Sequence, residues 1–228
     1  MNVLYLGFND RIYVPWAESP ELWNKAKNYM QFIGLGPSRV IVGGNCPAHL
    51  ERMLPRSIQR DFSEIDTACE RIWILAHGSD GFDGILAVAH DGRTLALRAD
   101  ELLKQMCEEQ FEPGKTREII VFSCYAGRAG AIAHYLFEAL REKFPGKRVR
   151  VTGYPGTTGA IQGDGHAECV IAPSEEDIDA VAKDPSLARA NGWTHTLHEE
   201  DLVVFSNEDL FGAHEAPSTS TSSASTST

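Results

Sequence analysis

Cysteine is sparse in this chain and shows no close pairing. There is no CxxC motif, and five cysteines lie far apart along the 228 residues. An odd, dispersed set of cysteines is not typical of a disulfide framework. We therefore expect reduced thiols in a cytosolic setting. The cysteines are Cys46, Cys69, Cys107, Cys124 and Cys169.

The chain also lacks an excess of basic residues and long apolar runs. Its 21 Lys and Arg residues against 32 Asp and Glu residues give a formal charge of −11, which argues against a generic nucleic-acid partner. No run approaches the ~20 apolar residues that span a bilayer, and the first ten residues have no basic region typical of a signal peptide. We expect a protein with no membrane partner, either cytoplasmic or exported as an effector without a visible signal peptide.

What the chain does contain is an alternation of apolar runs and amphipathic segments. The runs are rich in Val, Ile and Leu without polar alternation, which is typical of strands buried on both faces of a parallel sheet. Strands that alternate with helices predict an α/β fold with a mainly parallel central sheet. The predicted strands are Val3–Phe8, Arg39–Val42, Arg71–Ala76, Glu118–Phe122, Arg148–Thr152 and Asp201–Phe205. The predicted helices are Pro20–Ile33, Asp100–Glu109, Ala129–Phe144 and Ser174–Lys183.

Three further segments complete the predicted organisation. Residues 84–97 read as a β-hairpin around Asp91-Gly92, because Asp-Gly favours a tight hairpin turn. The glycine-rich stretch after Thr152 predicts a long, mobile connection. After Pro217 the chain contains only Ser, Thr and one Ala, which predicts a disordered tail over residues 213–228 after a single domain over residues 1–212.

Two predicted strands end in reactive residues. The strand at 71–76 runs into His77-Gly78, and the strand at 118–122 runs through Ser123 into Cys124. In parallel sheets, ligands gather at the carboxyl ends of strands, so both residues should lie on one edge. A nearby imidazole or helix N-terminus favours the nucleophilic thiolate, and we expect both at Cys124. The N–H groups of Gly78 and Cys124 could then face a developing oxyanion.

These residues resemble the signature of the caspase-like cysteine peptidases of clan CD. That signature is a hydrophobic strand ending in His-Gly and a second ending in a small residue and Cys, here 72–79 and 119–127, with a hairpin after the His. The two reactive residues are 47 positions apart, within the usual range of the family. The resemblance covers about Val3 to Thr152. It implies a caspase-like three-layer α/β sandwich, a cysteine endopeptidase activity, a His77–Cys124 dyad and an oxyanion hole formed by Gly78 and Cys124.

The resemblance also indicates where a substrate would bind. Relatives that prefer Arg, Lys, Asn or Asp carry a polar or acidic residue two positions before the Cys, whereas this chain has Phe122. This favours an apolar or small residue before the scissile bond. Tyr154 and Asp164 are the candidates for the wall of the specificity pocket, which in the family follows the strand after the Cys helix. The expected partner is a peptide or protein substrate, including self-processing of this chain.

Relatives suggest two activators. Toxin self-processing domains respond to inositol hexakisphosphate, and a basic cluster at 141–150 could bind an inositol phosphate, although a solvated helix end explains it better. Calcium activates other relatives, and Asp80, Asp83 or Asp164 could bind Ca²⁺, but there is no EF-hand loop. The basic cluster consists of Arg141, Lys143, Lys147, Arg148 and Arg150.

Other motifs fit the sequence less well. A phosphatase loop needs Cys and Arg bracketing five residues, and Arg128 falls too early. A nucleophile elbow needs a small residue where Phe122 stands. The histidines at 166, 195 and 198 have no recognised metal-ligand spacing, so we expect neither a metal nor a cofactor. Two functional alternatives stay open: acyl transfer or deamidation on the same dyad, and a non-catalytic binding module with the same fold.

Overall fold

The computed structural model describes most of the chain in five longer ranges and several short pieces. The described residues are 2–8, 26, 29–31, 34–43, 59, 61–65, 71–88, 94–161 and 167–208. Four earlier predictions lie wholly or largely outside them: the Ser/Thr-rich tail, the hairpin turn at Asp91-Gly92, the candidate pocket residue Asp164 and most of the helix predicted at 20–33. Of that helix, residues 26 and 29–31 are described, and they are helical.

Besides the helical residues 26 and 29–31, the regular structure of these ranges comprises eleven strands, four α-helices and four short 3-10 helices. The strands are β1 (Asn2–Leu6), β2 (Val40–Val42), β3 (Arg71–Leu75), β4 (Gly84–Val88), β5 (Thr94–Arg98), β6 (Glu118–Phe122), β7 (Arg150–Gly153), β8 (Thr157–Ile161), β9 (Ala167–Val170), β10 (Thr194–Leu197) and β11 (Val203–Ser206). The helices are α1 (Ala99–Glu108), α2 (Ile132–Lys143), α3 (Glu175–Lys183) and α4 (Ser186–Ala190).

The fold is α/β with a mostly parallel central sheet, as predicted. Six strands lie in the order β11-β7-β6-β3-β1-β2. Strands β2, β1, β3, β6 and β7 run parallel, and β11 pairs antiparallel with β7 at one edge. The parallel strands at the centre are buried on both faces, which explains why their sequences are continuous apolar runs.

Each face of the sheet has its own apolar core. Alternate residues of the central strands, such as Ile74 and Val121, pack with Leu102 of α1 and Leu136 of α2 on one face. On the opposite face, Leu75 and its neighbours pack with the helical residues 29 and 30 and with side chains of β9 and β10. The period-2 alternation of strand side chains produces this division. Both faces of the central sheet are therefore covered, and the ends of its strands are left as the place for a site.

Most predicted elements are confirmed to within a few residues. β6 has the predicted bounds, and β4 pairs with β5 as the predicted hairpin. Helix α3 begins after Ser174, whose side chain accepts a hydrogen bond from the Asp177 N–H as an N-cap. Helix α2 begins at Ile132 rather than Ala129, because Gly130 takes a left-handed φ of 77° that a helix cannot continue through.

The prediction for the glycine-rich segment is wrong over much of its length. Instead of a long connection, residues 157–161 and 167–170 form β8 and β9, which join β10 in a three-stranded antiparallel sheet. Gly156 explains part of the difference. A Cβ there would overlap the Val170 carbonyl oxygen and lie 2.8 Å from the Cys169 sulfur, so glycine permits close strand packing rather than mobility.

Candidate active site

His77 and Cys124 follow two neighbouring strands at equivalent positions. β3 and β6 pair in parallel register, with Leu75 opposite Phe122 as the last pair. The ladder continues with the Ala76 N–H donating to the Phe122 carbonyl at 3.3 Å. His77 and Cys124 each come two residues after that last pair. Since neighbouring strands are about 4.8 Å apart, the structure brings the two predicted dyad residues together at one edge of the sheet.

The backbone of His77 is held by the hairpin that follows it. Its N–H donates to the Leu86 carbonyl at 2.9 Å, and the Leu86 N–H donates to the His77 carbonyl at 2.8 Å. This antiparallel bridge ties the end of β3 to β4. The hairpin that the sequence predicted therefore fixes the main chain at the predicted general base.

Gly78 lies directly against the segment that contains Cys124. A Cβ at Gly78 would overlap the Cys124 carbonyl oxygen and lie 3.0 Å from the Ser123 hydroxyl. No side chain fits between the two loops. Within the described ranges, neither the Gly78 N–H nor the Cys124 N–H donates a hydrogen bond. Both predicted oxyanion-hole donors thus lie in adjoining loops and have hydrogen-bonding capacity to offer.

The sulfur of Cys124 contacts strand β8. The Thr158 N–H donates to Sγ at 3.3 Å, and the Thr158 hydroxyl lies 3.6 Å from the same atom. A donor directed at sulfur can stabilise negative charge that develops there. Cys124 is half-buried, so it is partly accessible to solvent.

The other two described thiols lie in different surroundings. Cys169 is fully buried, and burial raises the pKa of its thiol to about 12. Cys107 is half-buried on α1, and burial likewise raises the pKa of its thiol, although Lys143 opposes the shift. Cys169 pairs across β8 and β9 with Thr158, the residue that contacts the Cys124 sulfur, whereas Cys107 lies on a separate element, α1. Cys107 therefore provides a natural reference for the reactivity of Cys124.

The turn after Cys124 is tight and conformationally unusual. Tyr125 has a φ of 59°, in the left-handed region that side chains rarely occupy. Its N–H donates to the Gly156 carbonyl, and the Gly127 N–H donates to the Tyr154 carbonyl, both at 2.8 Å. A Cβ at Gly153 would lie 2.6 Å from the Gly127 nitrogen. The segment at 153–156 therefore clamps the turn that presents Cys124.

Helix α2 contributes less to Cys124 than the sequence suggested. The helix begins eight residues after the cysteine, and the Ala133 N–H in its first turn donates to the Ala126 carbonyl at 3.1 Å. A helix dipole acts mainly within its terminal turn. The expectation that a helix N-terminus follows Cys124 almost at once is therefore wrong, because a separate turn intervenes before Ile132.

Arg128 carries the charge closest to this turn in sequence. Its guanidinium forms an ion pair with Asp80, donates from Nε to the Pro155 carbonyl at 3.0 Å and lies 4.7 Å from the centre of the Tyr125 ring. Burial raises the pKa of the Tyr125 hydroxyl to about 12, nearby Cys124 adds to the shift, and Arg128 opposes it. The Tyr125 hydroxyl therefore stays protonated at neutral pH.

The predicted substrate-binding residues are placed as follows. Phe122 is 1% exposed and Tyr154 is 6% exposed, and their rings pack edge to face with centroids 4.9 Å apart. Both belong to the core beneath the site, so a substrate role for either stays a prediction. Asp164 lies outside the described residues.

Sequence reasoning overlooked several residues that now surround Cys124. Thr158 was placed in a presumed connection, and its strand became recognisable only from its pairing with β9. Ser123 and Tyr125 have buried hydroxyls for which the described part of the chain offers no hydrogen-bond partner. The one readable signal was the Thr157-Thr158 pair, since β-branched residues favour strands.

The predicted basic cluster is partly neutralised. Arg141 pairs with Glu138 at 3.1 Å, and Arg150 pairs with Glu118 at 3.0 Å and with Glu208 at 3.8 Å. These partners favour the interpretation of a solvated helix end and strand start over a polyanion site.

The described residues offer neither a metal-binding cluster nor a helix that could span a membrane. They contain no group of three or more His, Cys, Asp or Glu side chains arranged to hold a metal ion. Asp80 and Asp83, considered above for calcium, instead pair with Arg128 and Arg98. Among the helices described here, none is both long enough and apolar enough to cross a bilayer.

Comparison with known proteins gives no family for this chain, so a functional proposal depends on the geometry of the site. No protein-family model matches this chain, and no curated protein matches it either.

Proposed function

We propose that this chain is a cysteine endopeptidase with a caspase-like three-layer fold, in which Cys124 is the nucleophile and His77 the general base. The observation that carries the proposal is the contact of the His77-Gly78 loop with the Ser123-Cys124 segment, at the carboxyl edge of two adjacent parallel strands. Ligands gather at such edges. Only a glycine at 78 allows the approach, which is what a histidine and a cysteine acting together require.

The chemistry assigned to these residues is acyl transfer to sulfur. His77 accepts the Cys124 proton, and the thiolate attacks the carbonyl carbon of the scissile peptide bond. The carbonyl oxygen becomes an oxyanion near the Gly78 and Cys124 N–H groups. When the intermediate collapses, the C–N bond breaks and His77 gives its proton to the departing amine. Water, deprotonated by His77, then hydrolyses the thioester and restores the thiol.

The contact with Thr158 supports the same assignment of the nucleophile. A backbone N–H at 3.3 Å from the sulfur orients the thiol and favours its charged form during attack. Cys107 lies on α1, and the Cys169 thiol is fully buried with its pKa raised by burial to about 12, so neither shares the setting of Cys124. The proposal therefore predicts that one of the three described thiols stands apart in reactivity.

A peptide-library cleavage profile tests the proposal. The wild-type protein should release two fragments from a subset of peptides, while Cys124→Ala and His77→Ala lower the rate by a factor of roughly 10³ or more. Cys107→Ala is the matched control and should leave the rate unchanged, because Cys107 lies on α1 away from the edge. Release of ammonia without chain cleavage would replace the peptidase by a deamidase.

Chemical modification tests the dyad without a known substrate. Iodoacetamide at neutral pH should label Cys124 at least tenfold faster than Cys107. Equal rates for the two thiols, together with no cleavage anywhere in the library, would overturn the catalytic assignment in favour of a binding module.

A further inference from the structure

Arg128 connects three separate segments around Cys124. The first contact is its ion pair with Asp80, three residues after His77. The second is the stacking of its guanidinium over the ring of Tyr125, the residue next to Cys124. The third is the hydrogen bond from Nε to the Pro155 carbonyl at 3.0 Å.

Each of those segments positions one part of the candidate site. The loop with Asp80 continues from the proposed base. The ring of Tyr125 belongs to the turn that presents the sulfur. Pro155 leads into β8, where the Thr158 N–H donates to that sulfur. Arg128 therefore contacts all three segments: the one that carries the proposed base, the one that carries the nucleophile and the one that leads to the donor to the sulfur.

The contacts of Arg128 require a guanidinium in particular. A planar group can donate through Nε and a terminal nitrogen while its face covers an aromatic ring, whereas a lysine ammonium can make only one of these contacts well. The Arg128 and Asp80 side chains are each about one-third exposed. A pair this exposed adds little to global stability, typically about 0–1 kcal/mol. Its contribution is the relative placement of the loops.

We propose that Arg128 is a positioning residue that, through Asp80, Tyr125 and Pro155, holds the His77 loop in register with Cys124. This inference rests on the proposed function. Breaking the bridge lets the His77 loop move relative to the sulfur and weakens the interaction between imidazolium and thiolate. In this role Arg128 acts through the segments that it connects and not on the reacting sulfur itself.

The pH dependence of Cys124 alkylation measures that interaction. If His77 and Cys124 act together as proposed, the wild-type sulfur should be alkylated faster near pH 6 than the Cys107 thiol. Arg128→Gln and Asp80→Asn should each lower the iodoacetamide rate about tenfold near pH 6. Near pH 9.5, where thiols are ionised without help, the same variants should react within about twofold of wild type.

Asp80→Asn separates positioning from a direct effect of charge. If Arg128 acted only as a positive charge near the sulfur, removing the opposing carboxylate would make Cys124 more reactive near pH 6. If Arg128 holds the loop, the same change makes Cys124 less reactive, because the bridge is lost. The two explanations therefore predict opposite signs for one variant.

Asp83→Asn is the matched control. Asp83 lies in the same loop and forms an ion pair with Arg98 at 2.9 Å, but this pair joins the loop to the start of α1 and not to the Cys124 turn. Asp83→Asn should leave the pH profile unchanged. Arg128→Lys, which can keep the ion pair but not the Pro155 and Tyr125 contacts together, should fall between Arg128→Gln and wild type.

Thermal unfolding of every variant accompanies the alkylation series, and Asp80→Asn keeps the test decisive if Arg128→Gln does not fold. A profile of Asp80→Asn that matches wild type, or shifts toward higher reactivity near pH 6, overturns the positioning role while the dyad stands. A wild-type Cys124 no more reactive than Cys107 overturns the dyad and the positioning role together. A tenfold loss near pH 6 that Asp83→Asn does not share supports the inference.

Discussion

Strand β6 has Glu118 at its amino end and leads to Cys124 at its carboxyl end. The buried polar groups at these two ends differ in whether they have hydrogen-bond partners. Glu118 is 7% exposed, and its carboxylate accepts from Arg71 at 3.2 Å, Arg150 at 3.0 Å and the Thr152 hydroxyl at 2.7 Å. At the carboxyl end, the buried hydroxyls of the residues on either side of Cys124 have no partner in the described ranges.

Backbone conformation differs between the ends in the same sense. The residues around Glu118 are ordinary strand, whereas Tyr125 takes a left-handed φ and Gly78 meets the Cys124 carbonyl where no side chain fits. Strain and unsatisfied polar groups lower stability and persist where the surrounding structure holds them. Both features occur at the carboxyl end of β6, to which we assign the chemistry, whereas the Glu118 carboxylate at the opposite end has the three partners named above.

The largest effect should come from filling the space at Gly78. In Gly78→Ala the new methyl group overlaps the Cys124 carbonyl and forces the two loops apart. A displacement of about 1 Å at a catalytic centre can cost about 100-fold in rate, so peptide cleavage should fall by at least that factor. Overpacking should also lower the free energy of unfolding by about 1–3 kcal/mol. Cleavage kinetics and urea denaturation measure the two effects.

Gly36→Ala is the control for that substitution. Among the described residues, a Cβ at Gly36 would meet the Ser38 hydroxyl alone, at 3.9 Å, which is an ordinary contact. This variant should retain both activity and stability. If Gly78→Ala cleaves peptides at the wild-type rate, the oxyanion edge has been assigned to the wrong loops.

At the opposite end of β6, Glu118→Ala should affect stability without affecting the thiol. The substitution leaves the Thr152 hydroxyl and two arginine side chains without their shared carboxylate. Removing one member of a buried ion pair costs about 3–5 kcal/mol, and because both arginines are about one-third exposed we expect about 2 kcal/mol. Urea denaturation measures this loss. Glu118→Gln, which retains an acceptor oxygen, should lose less.

The iodoacetamide rate of Cys124 should be the same in Glu118→Ala as in wild type, at each pH. A slower rate would contradict the division between the two ends. It would mean that the packing of β6 transmits changes along the strand to the sulfur.

The position of the candidate site at one edge of the sheet could be predicted from the sequence, because that position depends on where the buried strands end. A continuous apolar run such as residues 119–122 predicts a strand buried on both faces, and parallel strands end at a common edge. These two rules predicted that His77 and Cys124 lie close together at that edge. The sequence also predicted the hairpin that ties the backbone of His77 to Leu86.

The sequence could not specify the features that depend on pairing across the chain. Thr158 contacts the sulfur because β8 pairs with β9, and nothing local distinguishes its glycine-rich surroundings from a loop. The left-handed Tyr125 is another case, since residue type disfavours that conformation and only the contacts of Gly127 with Gly153 and of Tyr125 with Gly156 impose it. The burial of Phe122 likewise results from packing against Tyr154.

The titration of Cys169 tests whether water reaches the interior beneath Cys124. Burial raises the pKa of the Cys169 thiol from 9.0 to about 12, so the folded state holds this proton after the unfolded chain has lost it. The free energy of unfolding should therefore decrease as the pH rises from about 9 toward about 12. Cys169→Ala, which costs about 1 kcal/mol at neutral pH, should show a shallower decrease.

Urea denaturation of both proteins at pH 7 and near pH 10.5 measures that difference, and the comparison cancels the titration of lysines and tyrosines common to the two chains. Parallel losses of stability in wild type and Cys169→Ala would show that Cys169 ionises as easily as an exposed thiol. The interior behind the Cys124 turn would then be open to water.

The smallest effect should come from the hydroxyl of Tyr125. Tyr125→Phe removes a buried group that has no partner in the described part of the chain and retains the ring beneath Arg128. Deleting an unsatisfied buried hydroxyl removes a desolvation penalty, so the free energy of unfolding should stay level or rise by up to about 1 kcal/mol. Alkylation of Cys124 should stay within about twofold of wild type near pH 6. A slower reaction without loss of stability would instead mean that the unpartnered hydroxyl acts on the sulfur, and the strain at this end of β6 would have a chemical use beyond shaping the turn.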